Sequence, residues 1–136
     1  MKKITLAATV DNIGAVTDFV NEQLEAFDCP MKAQMQTDIA VDEIFGNIAH
    51  YAYSPETGDA TVCVELADNP RGVIITFIDS GVEYNPLSQA DPDVTLSAEE
   101  RQVGGLGIFM VKKTMDEVAY EYKDGMNIFT IRKNFI

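Results

Sequence analysis

Polar and apolar positions change period several times along the chain, and each change marks an element. Ile4 to Val10 is an apolar run interrupted by threonine, the composition of a first strand. Ile13, Val16, Val20, Leu24 and Phe27 then recur at three- and four-residue steps. They form one stripe of a helix for which Asp11 is the expected cap and Cys29-Pro30 the stop. A second helix is expected from Lys32 to Tyr53, with Val41, Ile44, Phe45, Ile48 and Ala52 on one side, before the turn residues Ser54 to Asp59 break it. Two β-rich runs follow, Ala60 to Ala67 and Val73 to Asp79, separated by Asp68-Asn69-Pro70-Arg71-Gly72, the spacing of an antiparallel hairpin. The second run is almost continuously apolar, as a central buried strand would be.

From Pro86 to Val103 periodicity gives way to Ser, Asp, Pro and Glu, and a connection of that length in a compact domain is expected to serve as a lid or binding loop. Gly104-Gly105-Leu106-Gly107 then opens a short helix running to Lys113. Two further strands, Glu117 to Lys123 and Asn127 to Lys133, are joined at Asp124-Gly125. This order implies an α+β fold: a two-layer sandwich with a mostly antiparallel mixed sheet and helices on one face, in a single domain over residues 1–136.

Charge narrows the possible partners. The 136 residues include 10 Lys+Arg and 22 Asp+Glu, a formal net charge of −12, so a broad positive face for nucleic acid or an anionic lipid surface is excluded. No apolar run approaches the ~20 residues of a membrane helix, and the Met1 to Val10 segment stops at Asp11 without a convincing signal-peptide cleavage site. Cys29, Cys63 and the single histidine, His50, form neither a CxxC pair nor a cluster, which leaves zinc and redox motifs unsupported and fits a cytoplasmic protein.

Three places depart from what folding alone requires. Glu43 and Asn47 share a helix face at i, i+4, where a carboxylate can act as a general base and a carboxamide oxygen can ligate a hard cation. Both also lie opposite the apolar stripe, where polar residues are expected in any case. Between them, Gly46 costs a helix ~1 kcal/mol relative to alanine and implies that something needs the space. Asp79-Ser80-Gly81 ends the most apolar strand; its acid either starts a turn or, partly buried, accepts from a donor such as a purine amine, with Gly81 leaving room for a flat ring. Gly104-Gly105-Leu106-Gly107 exposes backbone N–H groups at a helix start, which suits either an anion site or a hinge, although neither GxGxxG nor the Walker A pattern is present.

In chain order, Glu43-x-x-x-Asn47, Asp79-x-Gly81 with Tyr84-Asn85-Pro86, Glu99-Glu100-Arg101, and Gly104-Gly105-Leu106-Gly107-Ile108-Phe109 resemble the N, G1 and G2 boxes of the anti-sigma factor serine/threonine kinases. That family belongs to the Bergerat-fold superfamily shared with DNA gyrase, histidine kinases and a heat-shock chaperone. Met115-Asp116-Glu117-Val118 and the run Asn127 to Lys133 extend the resemblance over essentially the whole chain. It implies that Glu43 is the general base toward a partner's Ser or Thr, that Asn47 ligates Mg2+, and that Asp79 accepts from the adenine of ATP beside Gly81. It further implies that Gly104, Gly105, Leu106 and Gly107 carry the end of a lid over the phosphates, with Arg101 placed for a γ-phosphate contact. The implied partners are a sigma factor, which is sequestered, and a small anti-anti-sigma antagonist, which is phosphorylated; a homodimer is also implied.

The chain departs from the family pattern at Tyr51, where many relatives have histidine, at Gly46 and at Asn85, which replaces an aspartate. ATP binding therefore rests on more matched residues than phosphoryl transfer does. The alternative is a nucleotide-dependent protein-binding module with little or no kinase activity. A gyrase- or chaperone-type ATPase would bring transducer domains, and a histidine kinase would bring a dimerisation helix pair.

Overall fold

A computed structural model describes residues 1–88 and 105–136. Five strands, β1 (Lys2–Ala7), β2 (Asp59–Ala67), β3 (Gly72–Asp79), β4 (Glu117–Lys123) and β5 (Met126–Asn134), form one sheet in the order β1-β2-β3-β5-β4. Every pairing is antiparallel, so the sheet is antiparallel throughout rather than mixed. Helices α1 (Ile13–Ala26), α2 (Met31–Asn47) and α3 (Gly105–Thr114) complete the α+β sandwich.

β3 occupies the middle of the sheet, as its apolar run requires. Val73, Ile75, Phe77 and Asp79 are buried, whereas the alternate residues Ile74, Thr76 and Ile78 on the other face are half-exposed. Val73, Ile75 and Phe77 meet Val16, Val20 and Leu24 of α1 and Val41, Ile44 and Phe45 of α2 in one core, where each large side chain contributes ~1.5–3 kcal/mol of apolar transfer. Val62 and Val64 of β2 and Phe129 and Ile131 of β5 extend that core along the sheet.

Local structure corrects two expectations. β1 ends at Ala7, and Val10 lies in a short 3-10 turn with 52% of its surface exposed. Asp11 lies within the same turn and is not the cap; α1 starts after Asn12, whose Nδ2 donates to the Ala7 carbonyl at 2.8 Å and ties the helix start to the strand end. The second helix changes character at Asn47, continuing as a π-helical turn over Ile48–Ala52. Such wider turns recur at functional sites because they redirect the helix end.

Candidate active site

A cavity of about 390 Å³ opens between the end of α2, the sheet and the start of α3. Ile44, Asn47, Ile48 and Tyr51 line it from the helix, Phe77 and Asp79 from β3, Tyr120 from β4, Asn127 and Phe129 from β5, and Ile108 from α3. Val82, Glu83, Tyr84 and Pro86, from the segment after β3, complete the wall. An apolar slot with a few directed polar groups is the usual form of a site for a flat aromatic ligand.

Asp79 is the main polar group of that wall and is only 6% exposed. Its Oδ1 accepts from the Gly81 amide at 2.9 Å and from Asn127 Nδ2 at 3.0 Å. The turn-starting and ligand-accepting readings of this acid therefore meet in one residue: one oxygen is used to build the turn, and the side chain still lines the cavity.

Gly81 has a role that the sequence did not reveal. A Cβ there would overlap the Ala52 carbonyl, so glycine lets the 80–82 segment close against the π turn, where Val82 N–H donates to that carbonyl at 2.9 Å. Tyr53 reinforces the junction, accepting from Ser80 N–H at 2.8 Å while its hydroxyl donates to the Asp59 carbonyl at 2.6 Å. After the segment, Asn85 Oδ1 accepts from Leu87 N–H at 2.9 Å and shapes the 3-10 turn Pro86–Ser88, a task either Asn or Asp can perform.

Asn47 is not turned away from the apolar side of α2; it lines the cavity with Ile44 and Ile48. Glu43, one turn earlier, is half-buried and lies outside the cavity lining. Its carboxylate faces Gly107 of α3 so closely that a Cβ at Gly107 would overlap it. Partial burial, with the neighbouring Asp42 charge adding to it, holds the Glu43 carboxyl above the usual glutamate range. Gly46 needs no special space: a Cβ there would meet only Ile13 Cδ1 at 3.9 Å, which corrects that expectation.

Gly105 begins α3 and Leu106 follows it in the helix backbone. Arg101, Gly104 and most of the expected lid at 86–104 lie outside the described residues. Asn127 and Tyr120 were missed by sequence reasoning. Asn127 carried a signal all the same, as a polar residue in phase with the buried positions Phe129 and Ile131 of its strand. Tyr51 lines the cavity at 59% exposure and lies against the His50 ring, with centroids 6.0 Å apart.

Among the described residues no three His, Cys, Asp or Glu side chains converge as a metal cage. Asn47 does offer a carboxamide oxygen on the cavity wall, one donor that fits a Mg2+ ion taking its other ligands from phosphates and water. Among the described residues no helix is long and apolar enough to cross a membrane.

An antiparallel α+β sandwich with a mostly apolar cavity, a buried carboxylate at the end of its central strand and a glycine-opened helix beside a half-buried glutamate defines a class of nucleotide-binding domains. The model of the histidine kinase-like ATPase domain matches residues 6–133, and the chain belongs to that family. It is 28% identical over 93 residues to the serine/threonine-protein kinase BtrW of Bordetella bronchiseptica, covering 68% of this chain and 65% of that protein. Identity to the serine-protein kinase RsbW of Bacillus cereus is 24% over 130 residues, covering 93% and 71%. The RsbW of Bacillus mycoides is 27% identical over 94 residues, covering 66% and 58%. The chain thus spans about two thirds of the length of the first two relatives.

Proposed function

We propose that this protein binds MgATP in the cavity beside Asp79 and transfers the γ-phosphoryl group to a Ser or Thr hydroxyl of a small anti-anti-sigma antagonist, and that it also sequesters a sigma factor. The observation that carries this reading is the buried Asp79 carboxylate, fixed through Oδ1 by Gly81 and Asn127 on the wall of an apolar slot that also holds Asn47. The relatives named as serine and threonine protein kinases support the choice of acceptor.

In this reading Asp79 accepts from the adenine amine while Phe77, Ile48 and Phe129 supply the apolar walls around the ring. Asn47 would hold Mg2+, whose charge offsets that of the phosphates in a chain of net charge −12. Gly105 and Gly107 present the α3 amide end, with Gly104, Leu106 and Arg101 adjoining it in sequence, to the phosphates. Glu43 takes the proton as the acceptor oxygen bonds to phosphorus and the bond from phosphorus to the ADP oxygen breaks. Its raised affinity for a proton matches that task. One domain over residues 1–136 with a lid at 86–104, a cytoplasmic location and a homodimer belong to the same reading.

A second reading, a nucleotide-dependent binding module without transfer, is favoured by Tyr51, which takes up the cavity position one turn beyond Asn47. Incubation with labelled ATP, magnesium and the candidate antagonist separates the two. Label reaching the antagonist from the wild type, and reduced by about 10²–10⁴ in Glu43→Gln with ATP affinity kept, supports the kinase. Tight ATP binding without transfer supports the module, and unchanged transfer in Glu43→Gln removes Glu43 as the base.

A further inference from the structure

We infer that Asn127 is a positioning residue that sets the nucleobase preference of the cavity, an inference that rests on the ATP-binding reading above. Asp79 and Asn127 are register partners across β3 and β5, and each is only 6% exposed. They are two of the three buried polar side chains among the described residues. The third, Thr37, is satisfied within its own helix by the Ala33 carbonyl at 2.7 Å. A buried carboxylate opposite a buried carboxamide in an apolar wall is costly unless each group is bonded, so the pattern of those bonds shows what the pair is built to do.

Asn127 Nδ2 donates to Asp79 Oδ1 at 3.0 Å and to the Val82 carbonyl at 2.9 Å. Its Oδ1 accepts from Tyr84 N–H at 3.1 Å and from the Tyr120 hydroxyl. These four partners allow only one orientation of the amide, because the flipped form would set its oxygen against a carboxylate and a carbonyl. With the Gly81 amide also on Oδ1, that oxygen is filled by two protein donors. Among the described residues both donors to Asp79 fall on Oδ1, which leaves Oδ2 as the acceptor for a ligand.

Adenine offers an amino group to such an acceptor. Guanine carries a carbonyl oxygen at the same ring position and would meet it oxygen to oxygen. Through Val82 and Tyr84 the same carboxamide also holds the wall segment that closes on the base. Asn127 therefore acts on the ligand through Asp79 and this wall.

The test is calorimetric titration of the intact chain with ATP and with GTP, each with magnesium, for wild type, Asn127→Asp, Asn127→Ser and Thr37→Val. Asn127→Asp keeps the shape but replaces the amide that donates to Asp79 Oδ1 with a second carboxylate in register against it. The ATP-over-GTP preference is expected to fall at least about tenfold, the scale of one charge-assisted hydrogen bond. Asn127→Ser, whose hydroxyl is too short to hold Asp79, gives the same loss and decides the matter if the aspartate variant does not fold. Thr37→Val lowers the melting temperature and keeps the preference. Unchanged preference in the folded Asn127 variants, with only the melting temperature lowered, overturns the inference alone. A wild type that binds no ATP overturns the ATP-binding reading and the inference together.

Discussion

On one wall of the cavity Asp79 is buried, and its Oδ1 is bonded to the Gly81 amide and Asn127. One turn before Asn47, Glu43 is half-buried, faces the bare backbone of Gly107 and accepts no hydrogen bond among the described residues. Glu43 lies on α2 and Asp79 at the end of β3, and on the proposed reading the difference between them separates two tasks. A carboxylate that must recognise a base gains from being locked, because a fixed oxygen discriminates donor from acceptor. A carboxylate that must collect a proton gains from lacking donors, since each one would stabilise its charge and weaken it as a base. The fold meets the first need with a register partner in the next strand and the second with a glycine that leaves room.

Breaking the Glu43 side gives the largest expected effect: Glu43→Gln lowers phosphoryl transfer by about 10²–10⁴ and leaves ATP affinity within about twofold, as labelled-ATP transfer and calorimetry would show. Gly107→Ala comes next. Its methyl would displace the Glu43 carboxylate, the free end of a flexible side chain, so transfer falls by about tenfold or more while stability changes by less than ~1 kcal/mol. Equal losses of transfer and of melting temperature would show that the contact serves packing instead.

The pH profile sharpens the same contrast. The Glu43 carboxyl holds its proton above the usual glutamate value of about 4.3, so the acid limb of kcat/KM lies above that value, with transfer rising as the proton leaves. Stability has the opposite sign. Between the unfolded and folded values the native chain binds more protons, so this contribution is fully present below the unfolded value and is lost as pH rises through the folded one. The smallest effect is expected at Gly46. Gly46→Ala meets only Ile13 Cδ1 at 3.9 Å, so it stabilises by about 0.5–1 kcal/mol in denaturant melts and leaves transfer unchanged.

Much of this architecture is written locally. β-rich runs bounded by turn residues mark β2, β3, β4 and β5 to within about two residues of their ends, and the acid closing the most apolar strand marks Asp79. Other features depend on partners distant in sequence. Asn127 acquires its role by lying across from Asp79, 48 positions away, and Tyr53 by reaching both Asp59 and Ser80. No local pattern announces the π turn at Ile48–Ala52, whose final carbonyl, that of Ala52, accepts from Val82 N–H. Gly81 was legible as a special position, yet the close neighbour it admits in this structure is the protein's own backbone. Gly46 shows the converse, a residue that looks purposeful in sequence and has open space around it in the fold.

Calorimetric titration of ATP into wild type and Asp79→Asn tests the central claim most directly. Asn keeps the size of Asp79 but removes the charge and one acceptor, so affinity is expected to fall by about tenfold or more while the variant stays folded. Equal ATP affinity in the two folded proteins would remove Asp79 from nucleotide recognition and contradict the account.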